Sequence, residues 1–325
     1  MGSQRVNPVY LVLGMHRSGT SAATQLLALA GCGLPENLVT ADEHNARGYF
    51  EPWRIAVLND ERLRAAGGAW DDPFGFPYRP SPDDDAWRTR AASVLAEEFG
   101  DVRAPLLKDP RVSVLAPLWL PVFADVGLTP LCVIPVRHPL EVAGSLAKRD
   151  GFHRDKSILL WCAYMLAAER YSRGLPRVFV AYDALLADWR AQAKRIEAAH
   201  GRPLPRLDEA AAARIDQFLT ADLRHHRGGE RLTDVSAIGA LAAPLFDGFA
   251  AAARDGEPDP AALETAAAAL AAMQAQMGTL ISPLSRDLDQ TRADLLYTRQ
   301  LLDLERANHL AQLDRIGAAA RALHG

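Results

Sequence analysis

The chain has 325 residues, 49% of them apolar, with a formal net charge of −4. That supports one sizeable α/β core plus an appendage, and it excludes the global basic field of a nucleic-acid binder. Cys32, Cys132 and Cys162 are too few and too scattered for a disulfide framework or a zinc site, and no apolar run approaches the ~18 residues that a bilayer demands, so a cytoplasmic chain with no membrane span is expected.

Residues 9–13 (Val-Tyr-Leu-Val-Leu) form an unbroken apolar run and predict a strand buried on both faces. A short turn lies between Gly14 and Gly19, and from Thr20 the chain reads as a helix with Leu26, Leu27 and Leu29 inward. Strand, tight loop and helix N-terminus form a phosphate-binding arrangement, because successive backbone N–H groups and the helix dipole converge on the loop. The spacing Gly-x4-Gly-x-Ser is that of a Walker A loop, but Thr20 stands where its lysine belongs, and the positive charge sits inside the loop at Arg17. This argues against ATP or GTP hydrolysis and still for a phosphate. A plain buried strand with a Gly-rich turn has the same local pattern, so the remaining segments must decide.

Residues 31–35 break the chain, and 49–51 read as a short second strand. Pro52 opens a helix carrying Ile55, Leu58, Asn59 and Leu63, which Gly67-Gly68 ends. Residues 70–85 read as a surface loop lying over a site. An amphipathic helix spans 87–99. A short apolar strand over 104–107 then ends at Lys108-Asp-Pro-Arg111, and a helix over 113–126 carries Pro117 and Pro121, which predict an irregular start or a break. A strand over 130–136 ends in Arg137-His-Pro, Pro139 starts a helix, and a long helix covers 155–172. The strand 177–181 runs into Tyr182-Asp183 and a helix to about residue 200. This alternation predicts an α/β fold with a doubly wound parallel sheet, whose ligands bind beyond the carboxyl ends of the strands. The groups just after the four strands are 14–21, 108–111, 137–138 and 182–183, and three of them carry a cation.

Beyond residue 205 the pattern is helical and alanine-rich. Residues 221–231 form a basic, glycine-ended island, 236–281 a helical extension, and 282–325 a long helix. Leu284, Leu288, Leu295, Leu302, Leu313 and Ile316 give that helix an apolar stripe, interrupted at Thr291, Glu305 and His309. Two readings stand side by side: a coiled coil that supports a homo-oligomer, and a helix packed on the parent domain.

Arg17-Ser-Gly-Thr20 resembles the 5′-phosphosulfate loop of sulfotransferases that use 3′-phosphoadenosine 5′-phosphosulfate (PAPS), where Lys or Arg precedes Ser-Gly-Thr. The segment 133–145 resembles their 3′-phosphate segment, in which an arginine ends a strand and a serine follows eight residues later; here these are Arg137 and Ser145. The resemblance covers residues 8–230 and is to the bacterial branch of the family. It implies a P-loop-like sulfotransferase domain over 1–235. Arg17, Ser18, Gly19, Thr20 and Ser21 would hold the phosphosulfate, and Arg137 with Ser145 the second phosphate. Tyr182 would sit near adenine. Arg224 and Arg227 of the basic island would stand in for a loop that closes on the 3′-phosphate.

Lys108 looks like the family's lysine that steadies charge in the transition state. The histidine base that follows it in the cytosolic branch is replaced by Pro110, so the base must come from elsewhere. Glu51 ends a Gly-Tyr-Phe-Glu stretch similar to one in bacterial carbohydrate and lipid sulfotransferases and is the first candidate, with Asp109 and His44 behind it. A glutamate favoured there by the helix dipole is the competing reading. The adjacent His225 and His226 would not face one metal, so no metal site is expected. The implied reaction moves a sulfonate from PAPS to the hydroxyl of a carbohydrate, a lipid or another small metabolite. Trp53, Trp70, Phe74, Phe76 and Tyr78 read equally as an acceptor mouth and as packing anchors. The alternatives are a P-loop kinase using ATP and Mg²⁺, with Asp109 or Asp183 at the metal, and an inactive sulfotransferase-like scaffold.

Overall fold

The computed structural model describes residues 7–40, 48–220 and 230–324. Its elements in chain order are β1 (Pro8–Val12), α1 (Thr20–Leu29), α2 (Trp53–Ala65), α3 (Asp84–Phe99), β2 (Leu106–Lys108), α4 (Arg111–Asp125), β3 (Thr129–Val136) and α5 (Pro139–Asp150). There follow α6 (Arg154–Ser172), β4 (Arg177–Ala181), α7 (Tyr182–Ala187), α8 (Trp189–His200), α9 (Glu209–Phe218), α10 (Leu232–Val235), α11 (Ala237–Asp255) and α12 (Pro260–His324).

The strands pair in parallel in the order β2-β1-β3-β4, with Val12 opposite both Lys108 and Val133, and Val136 opposite Ala181. Successive strand residues point to opposite faces. Val9 and Leu11 therefore join a core with α2 to α6, α11 and the start of α12, while Tyr10 and Val12 join a second core with α1, α8 and α9. Helices thus cover both faces, which explains the uninterrupted apolar strands. The winding direction reverses between β1 and β3, and a doubly wound sheet opens its ligand crevice at such a point.

Several sequence expectations are corrected. Residues 49–51 form no strand: Phe50 has φ +58°, which breaks an extended run, and the segment keeps only the antiparallel bridge Leu38–Pro52. Residues 70–85 are no loose surface loop. Asp71, Asp72, Phe74 and Phe76 are buried, so these aromatics anchor the segment in the core. α4 runs unbroken through Pro117 and Pro121, its lost backbone bonds offset by burial of Leu115, Leu118, Trp119, Val122 and Phe123. The helix after β4 is divided at Asp188, whose side chain caps α8 by accepting from the Ala191 amide at 3.0 Å.

Two further differences concern the C-terminal third. The final helix starts at Pro260 rather than near residue 281. Residues 237–254 of α11 are long and apolar enough to cross a bilayer, contrary to the sequence reading. In the fold, however, Phe249 stacks on Phe179 (5.7 Å between ring centroids) and meets Trp161 edge-on (6.1 Å), and Ala242 and Leu245 are buried.

Candidate active site

β1 delivers the chain into a loop whose shape is fixed locally. Ser18 is buried and donates its hydroxyl to the Met15 carbonyl at 2.5 Å. The Gly14 amide donates to Ser113 Oγ at 2.8 Å, which ties the loop to α4. Gly19 has φ +94°, and a Cβ there would lie 2.4 Å from the Tyr182 ring, so both conformation and space demand glycine. Arg17 also adopts a left-handed conformation (φ +66°), which costs a non-glycine residue roughly 1–2 kcal/mol. The loop ends at the N-terminus of α1, which has neither a side-chain cap nor an acidic residue in its first turn. Neither feature therefore offsets the partial positive charge of that helix end.

The strain at Arg17 is met by contacts from residues far along the chain. Arg17 Nε donates to Ser145 Oγ on α5 at 2.8 Å, and Arg137 Nη1 donates to the Arg17 carbonyl at 3.0 Å. Arg137 also pairs with Glu141 (3.0 Å) and lies over the Tyr182 ring at 4.6 Å. Arg17, Gly19, Arg137, Ser145 and Tyr182 therefore form one connected cluster, although up to 165 positions apart in a chain of 325. Burial, followed by the neighbouring Arg149 and Arg137, lowers the Arg17 guanidinium below its ordinary value. Cations crowded under partial burial favour an anion between them.

A second cluster occupies the β2 side. Lys108 Nζ donates to Glu51 Oε1 at 2.5 Å and to the Tyr49 carbonyl at 2.9 Å, and both side chains are almost fully buried. Arg111 lies 3.5 Å from the other Glu51 oxygen and is bound by Asp109 (2.8 Å) and Asp60 (2.6 Å). Asn59 donates to Asp109 at 2.9 Å and accepts from Trp119 at 2.8 Å. Burial lowers the Lys108 ammonium, with Glu51 and Asp109 opposing the shift. Arg111, despite burial, is held well above the usual arginine value by Asp109, Asp60 and Glu51. The Tyr49 carbonyl also accepts from Ser21 Oγ at 3.5 Å, which ties this cluster to the first turn of α1.

Thr20 is buried as the first residue of α1. Arg224, Arg227 and His44 lie outside the described residues. Asp109 spends its oxygens on Asn59 and on Arg111, and among the described residues no three His, Cys, Asp or Glu side chains converge as metal ligands. Sequence reasoning gave no role to His16, Asn59, Asp60, Arg149 or Glu141. Of these only His16, lying inside the loop next to Arg17, carried a signal in its position.

No protein-family model matches the chain, and no curated protein matches it. Among solved structures, the sulfotransferase domain of the Synechococcus olefin synthase is similar over 76% of this chain and 97% of its own, at 15% identity and a TM-score of 0.45. The sulfotransferase domain from the curacin biosynthetic pathway covers 75% and 99%, at 12% identity and 0.42. A sulfotransferase of Mycobacterium avium covers 70% of each chain, at 16% identity and 0.40. At such identities and scores these are distant likenesses and no more.

Proposed function

We propose that this chain is a PAPS-dependent sulfotransferase acting on an acceptor hydroxyl. The observation that carries the reading is the clasp of Arg17 to Ser145 and of Arg137 to the Arg17 carbonyl. It sets two cationic positions side by side at the switch point of the sheet, as a nucleotide with phosphate at both its 5′ and 3′ positions requires. A nucleoside triphosphate would instead need the lysine that Thr20 replaces.

In this reading the loop amides, Arg17 and the α1 N-terminus take the 5′-phosphosulfate. Arg137 and Ser145 take the 3′-phosphate, a guanidinium fork suiting a dianion, and Tyr182 lies where adenine would rest. The acceptor oxygen forms its bond to sulfur as the sulfur–oxygen bond to the phosphate breaks. The electrons of that bond leave on the phosphate oxygen, giving adenosine 3′,5′-bisphosphate. Lys108 steadies this oxygen, and Glu51, held beside Lys108, takes the acceptor's proton. The acceptor is a carbohydrate, a lipid or another small metabolite bearing a hydroxyl.

Titration calorimetry with adenosine 3′,5′-bisphosphate and, separately, ATP plus Mg²⁺ tests the proposal. The bisphosphate is expected to bind without metal and ATP weakly. Tight ATP–Mg²⁺ binding with no response to the bisphosphate would turn the reading to a kinase.

A further inference from the structure

His16 is the buried group that the mechanism above leaves unused. It lies in the loop between Met15 and Arg17, is 6% exposed, and its Nε2 has no hydrogen-bond partner among the described residues. Its ring is held against Trp70 (4.8 Å between centroids) and Tyr164 (6.0 Å). That wall is rigid: Tyr164 donates its hydroxyl to the Trp70 carbonyl at 2.7 Å, and Trp70 stacks on Phe152 at 5.7 Å. A buried polar atom without a partner is destabilising, so its presence in a ligand loop asks for a ligand atom.

We infer that His16 Nε2 donates a hydrogen bond to the sulfonate oxygens as the group is transferred. The inference rests on the sulfotransferase reading. The charges acting most strongly on His16 are those of Arg111, Arg149, Lys108 and Arg17. In the chain His16 directly precedes Arg17, to which that reading gives the 5′-phosphosulfate, so the sulfonate is the ligand group assigned to its own loop. Burial first, then these cations, keep the imidazole well below its ordinary value and so neutral. A sulfonate oxygen only accepts, so a neutral imidazole facing it carries its proton on Nε2. Such a donor stabilises charge without surrendering a proton: the acceptor's proton still goes to Glu51, and His16 ends the reaction as it began.

Two variants test this by calorimetry and turnover. His16→Phe keeps an aromatic ring against Trp70 and removes the donor; His16→Gln restores an amide N–H. The bisphosphate product lacks the sulfonate, so both variants are expected to bind it like the parent. Turnover should fall about 100-fold in His16→Phe and recover in part in His16→Gln. Parent-like turnover in His16→Phe overturns the inference. So does a loss of bisphosphate affinity that matches the loss of turnover, since His16 would then serve only the shape of the loop. A parent that ignores the bisphosphate removes the sulfotransferase reading first, and the inference falls with it.

Discussion

The two halves of the site hold their cations differently. On the β2 side, Lys108 and Arg111 are gripped by three carboxylates, Glu51, Asp60 and Asp109. On the β3 side, the contacts of Arg17 and Arg137 include a hydroxyl, a backbone carbonyl and an aromatic face as well as the carboxylate of Glu141. A cation paired with carboxylates is fixed in position, as chemistry requires. Neutral partners position a cation without cancelling its charge. In the proposed reading the first half serves transfer and the second recognition.

Removing Lys108 should break this contrast most severely. Lys108→Met is expected to lower turnover by about 100- to 1,000-fold while leaving bisphosphate affinity near that of the parent. It also strands Glu51 next to Arg111, and breaking a buried pair costs about 3–5 kcal/mol. The double variant Lys108→Met/Glu51→Gln should regain much of that stability by thermal denaturation and none of the activity. A single variant that instead loses bisphosphate affinity would reverse the assignment of the two halves.

Arg137→Lys probes the other half with a smaller effect. Losing the planar fork over Tyr182 should weaken bisphosphate binding by about 10- to 100-fold, measured by calorimetry, with turnover at saturating PAPS nearly kept. An affinity unchanged by this substitution would detach Arg137 from the second phosphate.

The smallest effect concerns pH. His16 is lowered by burial and by Arg111, Arg149, Lys108 and Arg17, so the unfolded chain binds its proton first. Its stabilising contribution is complete above the ordinary histidine value of about 6.5 and shrinks as pH falls below it. Asp60 acts in the opposite sense. Burial raises it to about 6, so its contribution is present at low pH and lost as pH rises through that value. The comparison with His16→Phe isolates the histidine. From pH 7 to pH 5 the parent's Tm should fall by a few degrees more than that of the variant, and equal slopes would contradict a neutral buried His16.

Much of this arrangement was legible in the residues. The strand cores, the loop and the cations beyond the strand ends follow from local runs and from the parallel sheet rule, because apolar periodicity and turn chemistry are short-range signals. Arg17, Lys108 and Arg137 could be singled out on that basis, and Ser145 only through the family resemblance of the segment 133–145. The clasp of Arg17 to Ser145 could not, since it depends on α5 docking 128 positions away. Nor could the burial of Asp71, Asp72, Phe74 and Phe76, which lie in a stretch whose Asp and Pro content reads as surface. Glu51 was visible as a carboxylate, but its grip on Lys108 requires the left-handed turn at Phe50, which an apolar aromatic does not announce.

That segment reaches farther than the site. Asp71, next to Trp70, binds Lys156 of α6 at 2.7 Å and Arg292 of α12 at 3.2 Å. Arg64 of α2 holds α12 again through Asp289. Three helices and the segment after α2 are thereby tied to one another: α12 is pinned at Asp289 and Arg292, and the second of these pins shares its carboxylate with α6. The residue next to that shared carboxylate is the tryptophan against which His16 packs, so the root of the last helix and the wall of the loop are built on the same short stretch of chain.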